Sequence, residues 1–156
     1  MDTDSEWTVR RIGRVSSARA EVLDDDWGGV IATIVLDPPF DERSLAGLDQ
    51  FSHVEVVFLF DRVEPDRVHH HARRPRGNPA WPEVGIFAQR AKARPNRIGI
   101  TTCELVGVDG LALRVRGLDA IEGTPVLDLK PYMVEFAPRR PTTQPAWSTE
   151  LMAGYW

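Results

Sequence analysis

Two short stretches of this 156-residue chain hold most of the side chains that can do chemistry. The first, GIFAQRAKARPNRIG over residues 85–99, carries the cations Arg90, Lys92, Arg94 and Arg97 around Pro95-Asn96. Proline fixes φ and removes a backbone donor, so Arg94-Pro95-Asn96 is a stiff corner with a polar tip. Such a corner can hold Arg94 or Asn96 against a ligand at fixed geometry. On composition alone it is an ordinary basic turn between strands. The second, LDAIEGTPVLDLKPY over residues 118–132, places Asp119 and Glu122 on one turn before Gly123-Thr124-Pro125. Two carboxylates there can accept from a cationic amine or a ribose diol, or simply form a solvated acidic turn.

Other reactive side chains are less suggestive. Three consecutive histidines, His69-His70-His71, point to alternating sides of an extended chain and do not make a tetrahedral site, so no metal is expected. Contact with RNA, or none, is the expectation for them. His53 opens an apolar strand and reads as a structural histidine. Cys103, beside Thr101 and Thr102, reads as a buried small residue rather than a nucleophile.

Charge is distributed unevenly. The chain carries −4 overall, yet residues 62–97 hold nine Lys/Arg against three acids, +6 in an otherwise acidic protein. Arg73, Arg74 and Arg76 lie inside this stretch, a candidate phosphate-facing surface or a solvated arginine loop. Hydrophobic residues make up 42% and charged residues 27%, enough for a core without metal or disulfide. The single cysteine excludes an internal disulfide, and cytosol is the expected compartment. Residues 1–6 are polar and acidic, unlike a signal peptide, and no apolar run is long enough to span a bilayer.

These residues have to be positioned by strands. Alternating or continuous β-branched runs predict strands at 7–15, 30–36, 53–60, 98–108, 111–116 and 125–129. Asp109-Gly110 predicts a two-residue hairpin turn. A short helix is expected over 41–50, capped by Asp41, with Leu45 and Leu48 on one face. Residues 61–84 show no period, and Pro65, Pro75, Pro79 and Pro82 mark them as a long irregular loop. The expected fold is all-β: a small six-stranded β-barrel with one short helix and a long basic loop, over residues 7–136. Residues 137–156, with Trp147, Tyr155 and Trp156, are expected to pack as a tail on the barrel or on a second subunit. The lack of alternating β and α units and of a Gly-x-Gly-x-x-Gly argues against a Rossmann fold.

Together the two stretches resemble the signature segments of the TsaA-like family. Those proteins are S-adenosylmethionine-dependent tRNA adenosine N6-methyltransferases acting on N6-threonylcarbamoyladenosine. The first segment is similar as Gly85-Ile86-Phe87-Ala88-Gln89-Arg90 followed by Arg94-Pro95-Asn96-Arg97-Ile98-Gly99, and the second runs in order from Leu118 to Tyr132. Gly47-Leu48, Phe51-Ser52-His53 and Ile12-Gly13 also fit. Arg97 stands where the family usually has a second proline, Gln89 where Thr is common, and Ser17-Ala18 where Ser-Pro is usual. Some members carry an extra C-terminal domain, and here only a short tail is expected.

The resemblance implies a six-stranded barrel that forms a homodimer, with S-adenosylmethionine bound near the interface. It implies cofactor contacts from Asp61, Arg62, Arg90, Ile100, Asp119, Ala120, Ile121 and Glu122, and more loosely from the loop Asp24-Asp25-Asp26-Trp27. Asp119 is the candidate base by its place in the motif. Arg94, Asn96, Arg97, Arg73, Arg74 and Arg76 are the implied contacts to tRNA. Two alternatives stand beside this reading. One is a methyltransferase of the same family with a small-molecule or other RNA acceptor. The other is a barrel that binds nucleotide or RNA without catalysis.

Overall fold

A computed structural model describes residues 3–156; the polar start at Met1 and Asp2 lies outside it. Eight strands form: β1 Gly13–Ser17, β2 Ile31–Leu36, β3 His53–Leu59, β4 Ala72–Arg73, β5 Val84–Gly85, β6 Ile98–Asp109, β7 Ala112–Arg116 and β8 Pro125–Pro131. Six of them close a barrel in the order β1-β2-β7-β6-β3-β8, with β8 returning to β1. Every pairing in the barrel is antiparallel. The strands β4 and β5 make a separate two-stranded hairpin.

Period-two alternation decides which side chains fill the barrel. Val54, Val56 and Phe58 point inward from β3, Thr101 and Cys103 from β6, Leu113 and Val115 from β7, and Ile34 from β2; all are buried. Between them Glu104, Arg114 and Arg116 face solvent. Gly99 is needed where β6 pairs with β3, opposite Phe58. A Cβ there would sit 2.6 Å from Phe58 Cζ and 2.9 Å from Phe60 Cζ. Register shifts at Val57/Phe58 against β8 and at Leu105/Gly107 against β7 add the local bend that closure needs.

Several expected boundaries move. The first strand begins at Gly13 rather than at residue 7, because Trp7 and Val9 are solvent-exposed and pairing starts at Ile12 N–H to Val126 O, 2.8 Å. The β6–β7 turn is Gly110-Leu111, one residue later than expected, since Asp109 pairs with Ala112. Residues 41–50 form two 3-10 turns, Glu42–Leu45 and Leu48–Gln50, instead of a helix. Asp41 does cap the first, accepting from Arg43 N. Of this segment only Leu45 is buried, too small an apolar face to hold a longer helix. The α-helix is α1, Ala146–Leu151, in the expected tail.

The long loop is folded. Three-residue 3-10 turns at Pro65–Arg67 and Pro75–Gly77 alternate with the β4–β5 hairpin. Gln89, buried, ties the hairpin down by donating from Nε2 to Arg73 O at 2.9 Å and Val84 O at 3.0 Å. Among the described residues no helix is long and apolar enough to cross a membrane.

Candidate functional site

Antiparallel pairing sets the end of β3 beside the start of β6, and a cavity of about 1150 Å³ opens at that edge of the barrel. Phe58 and Phe60, ring centroids 5.2 Å apart and edge to face, form an apolar wall with Ile100. Other walls come from the loops over residues 22–27, 87–94 and 119–121, and from Leu151, Met152, Tyr155 and Trp156 of the tail.

The basic corner and the acidic turn, distant in sequence, therefore face one space. Asp61, Arg62, Arg90, Ile100, Asp119, Ala120 and Ile121 all line it. Glu122 does not. Its carboxylate accepts from Ser17 N at 2.5 Å and its own N–H reaches Arg19 O at 2.9 Å, which ties the turn to the end of β1. Those two bonds hold Glu122 away from the cavity, while Asp119 lines it.

The six residues expected to meet RNA divide. Arg73, Arg76 and Arg94 line the cavity; Arg74, Asn96 and Arg97 lie off it. Arg97 is half-buried and donates from Nη1 to Val63 O at 2.6 Å, while its carbonyl accepts from Phe60 N at 2.8 Å. Asn96 and Arg97 have φ of 62° and 53°. Proline cannot adopt such an angle, so the corner here has a backbone that a second proline would forbid. Arg74 Nη1 donates to the carbonyl of Trp81, and Arg94 Nη1 to that of Gln89. Arg76 forks onto Asp25 at 2.8 and 3.3 Å, and these carboxylate bonds hold its pKa above the ordinary arginine value.

Arg90 is exposed, with Nη2 donating to Ile100 O at 2.7 Å. No other hydrogen bond from this guanidinium is present among the described residues, so most of its planar donor fork faces the cavity side unspent. Asp119 is half-buried beneath two hydroxyls, with Thr101 Oγ1 donating to Oδ1 and Tyr155 Oη to Oδ2. Burial, with the charge of Asp119, raises the Tyr155 phenol, and the same causes push the Cys103 thiol up to about 12. Cys103 is thus a neutral core residue at ordinary pH.

Of the loop over residues 24–27, loosely implied as a contact, Asp24 and Trp27 line the cavity, and Trp27 is buried there with the Arg19 guanidinium 3.7 Å over its ring. Sequence reasoning passed over another part of this site. Thr101 and Tyr155 carry the contacts to Asp119. The aromatic pair ending the chain was a signal for packing, but nothing in its sequence context pointed to Asp119. His69 to His71 lie away from the cavity, and among the described residues no cluster of three metal-ligating side chains forms.

The donor set fits a molecule with an amino-acid tail, a ribose and an adenine. Guanidinium groups suit a carboxylate, carboxylates suit an ammonium or a diol, and the Phe58/Phe60/Ile100 wall suits an apolar or aromatic face.

The family described as tRNA-methyltransferase O N-terminal domain matches residues 26–137. A human tRNA (adenine(37)-N6)-methyltransferase is 44% identical over 95 residues, which is 61% of this chain and 21% of that protein. A putative S-adenosylmethionine-dependent methyltransferase of Pseudomonas aeruginosa is 44% identical over 104 residues, 65% of this chain and 44% of that one. The crystal structure of TrmO from Pseudomonas aeruginosa superposes with a TM-score of 0.76 at 29% identity, covering 94% of this chain and 64% of that one. The chain thus spans less than half the length of these two relatives and under two thirds of the solved structure.

Proposed function

The chain belongs to the tRNA-methyltransferase O N-terminal domain family, and from that membership we propose that it methylates N6 of an adenosine beside the tRNA anticodon, using S-adenosylmethionine. We propose further that the acceptor is the threonylcarbamoyl-modified adenosine and that the protein works in the cytoplasm as a homodimer. One observation carries the reading. A single cavity gathers Asp61, Arg62, Arg90, Ile100 and the turn 119–121, the positions matching the family's cofactor contacts, from four separated segments.

When bound, the cofactor supplies a methyl group on a positively charged sulfur that is already a good leaving group. The chain's own task is placement and exclusion of water. Arg90, fixed by the Ile100 carbonyl, offers its remaining N–H groups to a carboxylate. Asp119 offers lone pairs to an ammonium or a ribose diol, held by Thr101 and Tyr155. Phe58 and Phe60 give the cavity a dry wall that would suit the adenosine moiety. As the acceptor nitrogen gains its bond to the methyl carbon, the carbon–sulfur bond breaks and the nitrogen releases its proton to solvent. Arg73 and Arg94 on the cavity edge are the cations proposed to meet tRNA phosphates. The exposed Phe87, 76% accessible beside the cavity, supports a second subunit there. Light scattering that finds only monomer would remove that part.

The decisive assay transfers labelled methyl from S-adenosylmethionine to tRNA with and without threonylcarbamoyladenosine. Methylation of the modified tRNA alone is the expected result. The left-handed backbone at Asn96 and Arg97 favours a second reading, a different RNA or small-molecule acceptor. Tight cofactor binding with no methylation of either tRNA would select it.

A further inference from the structure

The segment that follows the family-matched residues 26–137 returns to the cavity. Helix α1 is tied to the long loop by Trp81 Nε1 donating to Glu150 Oε2 at 2.9 Å. Beyond it the chain pairs with the loop over residues 24–27: Asp26 N donates to Gly154 O at 3.0 Å and Trp27 N to Tyr155 O at 2.8 Å. Gly28 lets the two backbones approach, because a Cβ there would lie 2.6 Å from the Trp156 carbonyl carbon. The loop is itself clamped, with Arg19 Nη1 donating to Asp26 O at 2.7 Å and Nη2 to Asp25 O. This framework holds the Tyr155 ring edge-on to Trp156, centroids 4.8 Å apart, with its hydroxyl on Asp119.

Each oxygen of the Asp119 carboxylate then accepts one side-chain hydroxyl, Thr101 on Oδ1 and Tyr155 on Oδ2. A carboxylate oxygen has two lone pairs, so one on each remains for a ligand, in a direction set by these two donors. Because burial raises its pKa, Tyr155 stays protonated and donates throughout the neutral range. We propose that Tyr155 is a positioning residue that, with Thr101, aims the Asp119 carboxylate at the cofactor, which makes the returning segment a working part of the binding site. The inference rests on the S-adenosylmethionine reading above.

The test uses the whole chain and S-adenosylhomocysteine, the stable product, as the calorimetric probe, with S-adenosylmethionine KM and kcat measured beside it. Tyr155→Phe keeps the ring and its packing and removes only the donor; Thr101→Val does the same on the other oxygen, and Thr101→Ser restores it. Loss of a hydrogen bond to a charged group predicts about tenfold weaker binding for Tyr155→Phe and for Thr101→Val. It also predicts a raised KM at little-changed kcat, the ligand-free melting temperature near wild type, and Thr101→Ser binding like wild type. Tyr155→Phe binding as tightly as wild type overturns the positioning role and leaves the methyltransferase reading standing. Affinity falling only in step with melting temperature, without rescue by serine, also overturns it, because that pattern belongs to packing alone. A wild-type chain that binds no probe overturns both.

Discussion

Arg90 and Asp119 face the same cavity but are held in different ways. The arginine leans on one backbone carbonyl, at 2.7 Å, and keeps most of its fork free. The aspartate is gripped on both oxygens by neighbours from β6 and from the returning segment. Replacing Arg90 with alanine should weaken S-adenosylhomocysteine binding about ten- to a hundredfold, the worth of charge-assisted hydrogen bonds to a carboxylate. Arg90→Lys should recover only part of that, since an ammonium cannot present two parallel donors. Calorimetric titration of both variants checks this, and equal affinities for wild type and Arg90→Ala would place the carboxylate elsewhere. The pairing of Arg76 with Asp24 and Asp25 gives that arginine a structural employment that its sequence context did not reveal.

At the level of elements, the site depends on two close fits. The β3–β6 pairing leaves no room for a side chain at Gly99, where the Phe58 and Phe60 rings stand within 2.6 to 2.9 Å of an added carbon. Gly99→Ala should therefore cost about 1–3 kcal/mol by overpacking and tilt the apolar wall. Urea denaturation measures the first effect and cofactor titration the second. The second fit is Gln89, whose buried amide reaches two carbonyls, one on each strand of the β4–β5 hairpin. Gln89→Ala strands both and should destabilise the hairpin by about 1–3 kcal/mol. Its readout is local: faster tryptic cleavage after Arg73 and Arg76, with the barrel's own unfolding midpoint changed less. Cleavage at the wild-type rate would show that the hairpin is held by other contacts.

For the molecule as a whole, burial of two weak acids makes alkaline stability a test of the packing. Cys103 is pushed up from 9.0 to about 12, and Tyr155 is raised above its ordinary 10.0. Folding raises both, so the folded state keeps protons that the unfolded chain releases. Their contribution is intact below the unfolded values and is lost as pH climbs past about 9 toward the folded ones. The urea midpoint should fall between about pH 8 and about pH 10.5, and Tyr155→Phe should flatten part of that fall. Thiol-directed reagents should leave native Cys103 untouched near pH 8 and modify it on unfolding, because the thiolate is the reactive form.

Strand alternation, turn residues and the two motifs were readable in the sequence because each acts within a few residues. Whether Leu113 points inward is decided by its neighbours on one strand, and the barrel class followed from six such runs. Arg90 and the Asp119 turn were legible as motifs of fixed spacing. Tertiary structure alone decided the rest. Only barrel closure, with β3 lying between β6 and β8, brings the basic corner to the acidic turn. Only packing shows that Glu122 turns toward Ser17 while Asp119 turns in, and that the expected helix over 41–50 collapses to 3-10 turns. Tyr155 meets Asp119 across 36 residues of chain. A contact of that span depends on where the intervening segment is anchored, which local periodicity does not record.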